Sequence, residues 1–465
     1  MHRNIILIIP SILFSLLFYK QNLGLNFLLF SILVIGLLVN FNFEKFKHKE
    51  TLLYASFYLI ASSFVFMYNS TLTLITSTIA FFVLLGSLSS SKSSLYIELL
   101  NGFYSTIASN FVNSFNHLLE ETEAVKKRNI NFLYWFKIIG IPLVVLVIFI
   151  ILYRSANPFF DEILNKVDLS FINLQWLLFT TIGYFLLLNI SKPQKIQPIT
   201  EIDLNTRNQL QKEELKKQSN VSLVQENQLG IILLVLLNLL IGFFLITDSI
   251  YISSLVDLAA ANLSKAVHEG IYALITSIIL AIIIILYFFR GNLNFYEKNR
   301  NLKTLTTLWI SLNIILVLIT AYKNYLYVTH HGFTYKRIGV FIYLLLSLVG
   351  LLTTYTKVYA QYNLWYLFRK NIRIAFLLLV ISGTLNWDKL ITKYNIEHAQ
   401  IIDLDYLIHL SDNNTFLLYD YIIKKPNKST IEQERRIAVK HKNYNEKLDH
   451  KSWQELVYDN LKQVK

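Results

Sequence analysis

Leu229–Thr247 reads LGIILLVLLNLLIGFFLIT, nineteen residues in which Asn238 and Thr247 are the only polar side chains. As a helix this stretch extends about 28 Å at 1.5 Å per residue, close to the hydrocarbon thickness of a bilayer. A surface helix of a soluble protein shows a polar face at 3.6-residue spacing, and this stretch has none. The first charge after it is Asp248, at its end. The stretch predicts a helix that crosses a membrane.

The pattern recurs. Apolar stretches run over about 4–19, 25–41, 51–68, 71–88, 132–153, 171–190, 229–248, 270–289, 304–322, 338–356 and 372–387. No Asp, Glu, Lys or Arg stands at the middle of any of them. The expected fold is all-α: a multi-pass transmembrane helix bundle of about eleven spans with a small helical tail. Only 16% of the 465 residues are charged, against about 25% in soluble domains. Pro10 and Pro142 fall inside spans, where they are expected to kink them. No two glycines are four apart, so there is no GxxxG face. The first span follows only three residues and has no small-residue cleavage site behind it, so it reads as a retained anchor.

The net charge of +13 invites a nucleic-acid reading. Its distribution argues against one. With the N-terminus inside, alternate connections on the inner side hold 22 Lys and Arg and those on the outer side hold 7. That asymmetry is the positive-inside rule, and it predicts the N-terminus in the cytoplasm and the C-terminus outside. The expected location is the inner membrane of a bacterium. The lipid bilayer is the expected partner together with a membrane or periplasmic protein, and no nucleic acid. The chain has no cysteine, so it builds neither disulfides nor thiolate metal sites.

Four regions are expected: a four-span region over 1–95, an amphipathic surface helix over 96–130, a seven-span core over 131–385 and a tail over 386–465. In the second, Ile97, Leu100, Phe103, Tyr104, Ile107 and Phe111 recur at helical spacing and predict a helix lying on the cytoplasmic face. Residues 191–228 read as a solvated polar linker with a helix around Asn208–Lys217. Residues 251–267 read as a second amphipathic stretch. The tail carries 13 basic and 12 acidic residues and recurrent short apolar patterns, which predict three to five short helices.

Function is less legible. There is no HExxH, GxSxG, P-loop or GxGxxG motif, and no cofactor is expected. Ion-coupled carriers need ionisable groups at membrane depth, which the spans lack. The mild polar residues Gln175, Asn238 and Asn313 are the candidate lining of a path for lipidic molecules. Asn at depth more often ties neighbouring helices together. At the outer ends of spans stand Asp161, His268, Glu269, His330, His331 and Arg337, a candidate cluster for metal binding or acid–base work. Groups of this kind usually just anchor helix ends, and adjacent histidines on one helix diverge. No catalytic residue or metal ligand is therefore assigned. The leading expectation is a non-enzymatic envelope scaffold, sensor or accessory subunit. The alternatives are a lipid carrier and an outer-face enzyme.

Five phrases carry a resemblance. They are Arg154-Ser-Ala-Asn-Pro-Phe-Phe160 with Glu162-Ile-Leu, Ala266-Val-His-Glu-Gly-Ile-Tyr-Ala-Leu274, His331-Gly-Phe-Thr-Tyr-Lys-Arg-Ile338, Asn386-Trp-Asp-Lys-Leu-Ile-Thr-Lys-Tyr-Asn395 and Leu404-Asp-Tyr-Leu407. In this order they resemble a family of bacterial polytopic proteins catalogued as domain of unknown function 4173, a relative of 4153. Phe333 stands in place of the family's leucine and Trp387 in place of its proline. The resemblance covers roughly residues 130–465. It implies a bacterial envelope membrane protein with an outward tail, and it implies no reaction.

Overall fold

The structure is a computed structural model that describes residues 2–120, 141–157, 160, 173–212, 219–255, 260–425 and 429–461. Within these ranges, the side chains at 2, 110–120, 141, 143, 144, 147, 151, 219–221, 251–255 and 260–273 are not described. The described residues form an all-helical chain with no strand. Their one isolated bridge joins Gln209 to Tyr362.

The N-terminal helices are α1 (His2–Ile6), α2 (Ile8–Phe18), α3 (Leu25–Phe46), α4 (Lys49–Tyr68), α5 (Thr71–Ser89) and α6 (Leu95–Glu120). Then come α7 (Ile141–Ala156), α8 (Leu174–Ser191), α9 (Gln197–Asn205), α10 (Ser219–Leu255), α11 (Ala260–Phe288), α12 (Arg300–His331), α13 (Tyr335–Tyr359) and α14 (Leu364–Gly383). The tail holds α15 (Trp387–His398), α16 (Leu404–His409), α17 (Thr415–Lys424), α18 (Ile431–Asp449) and α19 (Tyr458–Leu461).

Among the described residues, seven helices are long and apolar enough to cross a membrane: α3, α4, α5, α8, α10, α12 and α13. They become eight if α14 and α15, bent by 67° at a short break, count as one span. The expected eleven are thus not all present as full spans. Two of the others are short apolar helices, over Arg3–Phe18 and Leu274–Phe288. The stretch at 132–153 lies partly outside the described residues.

One apolar core joins α10–α13 around Ile278, Ile285, Phe289 and Leu351. A second joins α3–α6, α8 and α14 around Val34, Leu38, Leu84 and Leu187. Many large apolar side chains face outward, among them Leu236, Leu239, Leu240, Phe243 and Ile246. That is the surface a lipid solvent allows and water does not.

Pro10 stands three residues after the break between α1 and α2 at Leu7, where its missing N–H leaves the Ile6 carbonyl without its helical partner. The residues just before Ile141 lie outside the described residues, so the expected kink at Pro142 does too. A further kink comes in α3 at Asn42, whose φ of −135° leaves the helical range. Its amide reaches across to the Ser191 carbonyl at 3.0 Å. Lysines hold carbonyls at helix ends: Lys45 donates to Leu88 O and the fully buried Lys357 to Phe289 O. A cation there complements the helix dipole.

Two connections make contacts with the bundle that the sequence did not point to. α6 packs against the bundle, but of the described side chains in the expected apolar stripe only Ile97 is buried. Glu98, Asn101, Gly102, Ser105 and Ser109 are buried, while Leu100, Phe103 and Ile107 are exposed. The helix packs polar side inward against α5 and α8. In lipid, apolar residues lose nothing by facing outward, and small polar ones gain close approach and hydrogen bonds at helix interfaces. Ser109 Oγ donates to Asn189 O at 2.8 Å and Ser105 Oγ to Gln194 O at 2.9 Å.

The 191–228 segment is docked at a few points, Thr200 and Asp203 being buried, while most of its residues over 197–212 are exposed. Its helix is α9; residues 206–212 are non-helical and 213–218 lie outside the described residues. Part of the stretch expected to be amphipathic at 251–267 also lies outside them, at 256–259.

Candidate functional site

The tail forms a cap. Its core consists of Ile391, Leu404, Leu407, Ile408, Leu418, Tyr421 and Ile437, and Ile338 from the start of α13 enters it. The cap also reaches the N-terminal hairpin. Glu455 accepts from Asn22 N at 2.7 Å and from Asn22 Nδ2 at 3.1 Å, and Leu25 N donates to Leu456 O at 2.9 Å. Lys440 on α18 donates to the carbonyls of Ile408, Leu410 and Ser411 and to Asn414 Oδ1. Burial pushes the Lys440 ammonium pKa down to about 8.

The joint between cap and bundle is built on the turn from α12 to α13. Gly332 ends α12 with φ +74° and ψ −179°. That backbone region is essentially restricted to glycine. The turn presents both backbone groups of Phe333 to one side chain. Asn395 Oδ1 accepts from Phe333 N at 2.6 Å, and Asn395 Nδ2 donates to Phe333 O at 2.9 Å. Thr334 caps α13 by accepting from Arg337 N at 3.3 Å. Tyr335 OH donates to Asp388 at 2.7 Å, and Ser411 Oγ donates to the other Asp388 oxygen. Tyr406 OH accepts from Tyr335 N at 2.9 Å.

Beneath this joint the last turns of α12 turn a polar face inward. Lys323 is paired with Asp248 of α10, and both are nearly fully buried. Asn324 Nδ2 donates to Arg337 O at 3.0 Å. The Arg337 guanidinium lies over the Tyr327 ring at 4.1 Å and donates to His331 O at 2.9 Å and Gly332 O at 2.5 Å. Arginine here saturates helix-end carbonyls and stacks on an aromatic ring, which a lysine does less well.

Of the candidate outer-end residues, Arg337 thus joins the structure and His331 lends it a carbonyl. His330 accepts Ile401 N through its backbone at 2.9 Å. The two imidazoles, on consecutive helical residues, lie 6.5 Å apart. His268 and Glu269 sit on α11, and their side chains, like all of Asp161, lie outside the described residues. Among the described residues no three His, Asp or Glu side chains are placed to share a metal ion.

Gln175, Asn238 and Asn313 do not converge on a common lining. Asn238 Nδ2 donates to Leu234 O at 2.7 Å and, across to α12, to Leu305 O at 3.1 Å. Asn313 Nδ2 donates to Trp309 O at 2.8 Å within its own helix. Gln175 accepts from Tyr19 OH at 3.2 Å. A cavity of about 570 Å³ does open between α11, α13 and α14, but its walls are Ile282, Leu286, Gly350, Leu367, Phe368 and their neighbours, without any of the three.

At the end of the bundle opposite the cap, a second buried polar cluster pins α9. Asp203 accepts from Ser94 N at 2.7 Å, Ser94 Oγ at 2.5 Å, Tyr96 OH at 2.9 Å and Arg369 at 2.9 Å. Burial alone would raise the Asp203 pKa, but these donors outweigh it and hold the carboxyl below its ordinary 3.8. A depressed carboxyl pKa stabilises the fold above the unfolded value and stops doing so as pH falls through the folded one. Asp203→Asn is therefore expected to cost about 2 kcal/mol at neutral pH, the worth of a charge-assisted hydrogen bond. The gap between wild type and variant should close as pH is lowered below 3.8. Urea unfolding at two pH values measures both; a gap that persists in acid would remove the ion pair from the account.

Lys323, Asp203 and Arg369 were not singled out by sequence reasoning, and Asp388 and Asn395 entered it only within a phrase of the family resemblance. Lys323 follows its predicted span by one residue and reads as an interfacial anchor. Its signal was the spacing Thr320, Lys323, Asn324, Tyr327, one buried helix face. The last three resemblance phrases supply the joint itself: Gly332, Phe333, Thr334 and Arg337 from one, Asp388 and Asn395 from the next, Leu404 and Leu407 from the third.

A family model described as "Domain of unknown function (DUF4153)" matches residues 8–421. The match is to the relative rather than to 4173, and it begins well upstream of the phrases. It ends inside α17, before α18 and α19. No curated protein and no solved structure matches the chain.

Proposed function

The chain belongs to the family described as Domain of unknown function (DUF4153), and from that premise we propose that it is a membrane scaffold or sensor acting through a protein partner at its cap. The observation that carries this reading is how the cap joint uses its polar groups. Asn395 and Asp388 tie the cap to the turn between α12 and α13, and Arg337 and Thr334 hold that turn in shape. A hydrolase or transferase site needs a nucleophile beside a base and donors aimed at a reacting atom. The joint uses these same residue types to fix one domain on another.

The charge asymmetry of the connections supports a cap outside the cytoplasm and an N-terminus within it, in a bacterial inner membrane. A reporter active only outside the cytoplasm should be active when fused after Lys465 and silent when fused within 191–228. The reverse pattern would invert the bundle and move the partner to the cytoplasm.

The decisive experiment is gentle purification of tagged protein from its native membrane, as wild type and with residues 386–465 removed. A protein that accompanies the wild type in near-equal amount and is lost with the cap supports the proposal. A bound lipid, small molecule or metal without a protein partner would replace it with a carrier or an enzyme.

A further inference from the structure

Glu98 is the most anomalous side chain in the described structure. It is 1% exposed, its carboxyl oxygens meet no hydrogen bond of good geometry among the described residues, and the Tyr54 hydroxyl is the one side-chain donor close to it. Buried polar atoms are paired in the great majority of cases, and an ionised carboxylate buried alone is strongly disfavoured.

The seam around it has no room for solvent. A Cβ built on Gly86 of α5 would lie 1.8 Å from Glu98 O, and one on Gly102 of α6 would lie 1.8 Å from Phe82 O. The two backbones touch directly. Any residue larger than glycine at either position would force the helices apart.

The groups that face Glu98 come from several elements. α4 contributes Tyr54 and Glu50, α14 contributes Arg373, and α9 contributes Asp203. α5 has no titratable side chain. The one on α8, Tyr184, sits against Arg3 instead. Glu50 and Arg373, both close enough to act on the buried carboxyl, are themselves a half-exposed pair at 3.8 Å. Asp203 is already matched by Arg369. Among the described residues no cation is left over to neutralise Glu98.

We propose that Glu98 is a proton-binding site, neutral while α6 is seated against α5, with the Glu50–Arg373 pair as its contact with solvent. Losing the proton places an unmatched charge in a seam without water, and α6 then leaves α5. The end of the bundle opposite the cap thereby responds to pH. This inference stands apart from the cap reading and survives its failure.

Burial, with Glu50 adding to it, holds the Glu98 pKa up at about 8 against an ordinary 4.5. The sign follows. A carboxyl raised in the folded state contributes full stability below 4.5 and loses it as pH climbs to about 8.

The test uses the full chain in lipid nanodiscs. Infrared difference spectra across pH 5 to 9.5 should show one protonated carboxyl that ionises with a midpoint near 8. That band should be missing in Glu98→Gln. The wild-type melting temperature should fall over the same range, while that of Glu98→Gln stays level and is the higher of the two at pH 8. If no carboxyl in the wild type titrates above about pH 6, the proposal is overturned, whatever the variant does. An ionised Glu98 at pH 6 that requires sodium would make the site a cation site, and would equally overturn it. A melting temperature that falls in parallel in both proteins would locate the pH response elsewhere.

Discussion

Lys323→Met is expected to lower the unfolding free energy by about 3 to 5 kcal/mol, the usual cost of leaving one partner of a buried ion pair alone. Lys323 and Asp248 are 8% and 6% exposed, on helices that pack along their length. Among the described residues the second Asp248 oxygen has no partner, so no other described donor stands in for the lysine. Removing both charges tells a different story. Lys323→Met with Asp248→Leu should recover most of the loss, because desolvating a pair costs about as much as the pair returns. Unfolding in a graded denaturant series, for the two single variants and the double, measures this. A single-variant cost under about 1 kcal/mol would mean water reaches the pair and it behaves as a surface bridge.

Gly332→Ala should release the cap at a cost of about 3 kcal/mol, from backbone strain and two lost hydrogen bonds. Two independent effects coincide there. The φ of +74° with ψ near 180° excludes side chains, and an added Cβ would lie 2.3 Å from Asn395 Oδ1. The variant must change the turn, and with it both bonds between Asn395 and Phe333. The bundle cores lie elsewhere and should persist. Limited proteolysis separates these outcomes. Cleavage between 384 and 430 with an intact bundle fragment is expected. A variant as resistant as wild type would show that the cap is held by its contacts to the N-terminal hairpin rather than by this turn.

The sequence determined which segments are helices in lipid. Long runs such as Leu229–Thr247 carry no polar face, and a backbone in hydrocarbon must satisfy its own hydrogen bonds. The same logic recovered α6 and α15–α17 as helices. It missed α18, whose only buried residues are Ile437 and Tyr444, seven apart, too sparse for an apolar stripe. It also expected a helix over 208–217; residues 208–212 are non-helical and pair with Gln361–Asn363 just before α14, and 213–217 lie outside the described residues.

Only the tertiary structure decided which face of each helix points inward, and that decided where the chemistry lies. In water an apolar stripe marks the buried side. In lipid that inference loses its basis, because both sides of the stripe's surroundings are equally apolar. α6 shows the consequence: the stripe Leu100, Phe103, Ile107 faces out, and Glu98 enters the bundle. Asp248 and Lys323 stood at the ends of separate spans 75 residues apart, with nothing local to announce that they meet. Asn395 and Phe333 are separated by 62 residues. Such pairings depend on how helices are stacked, which hydropathy along the chain does not encode.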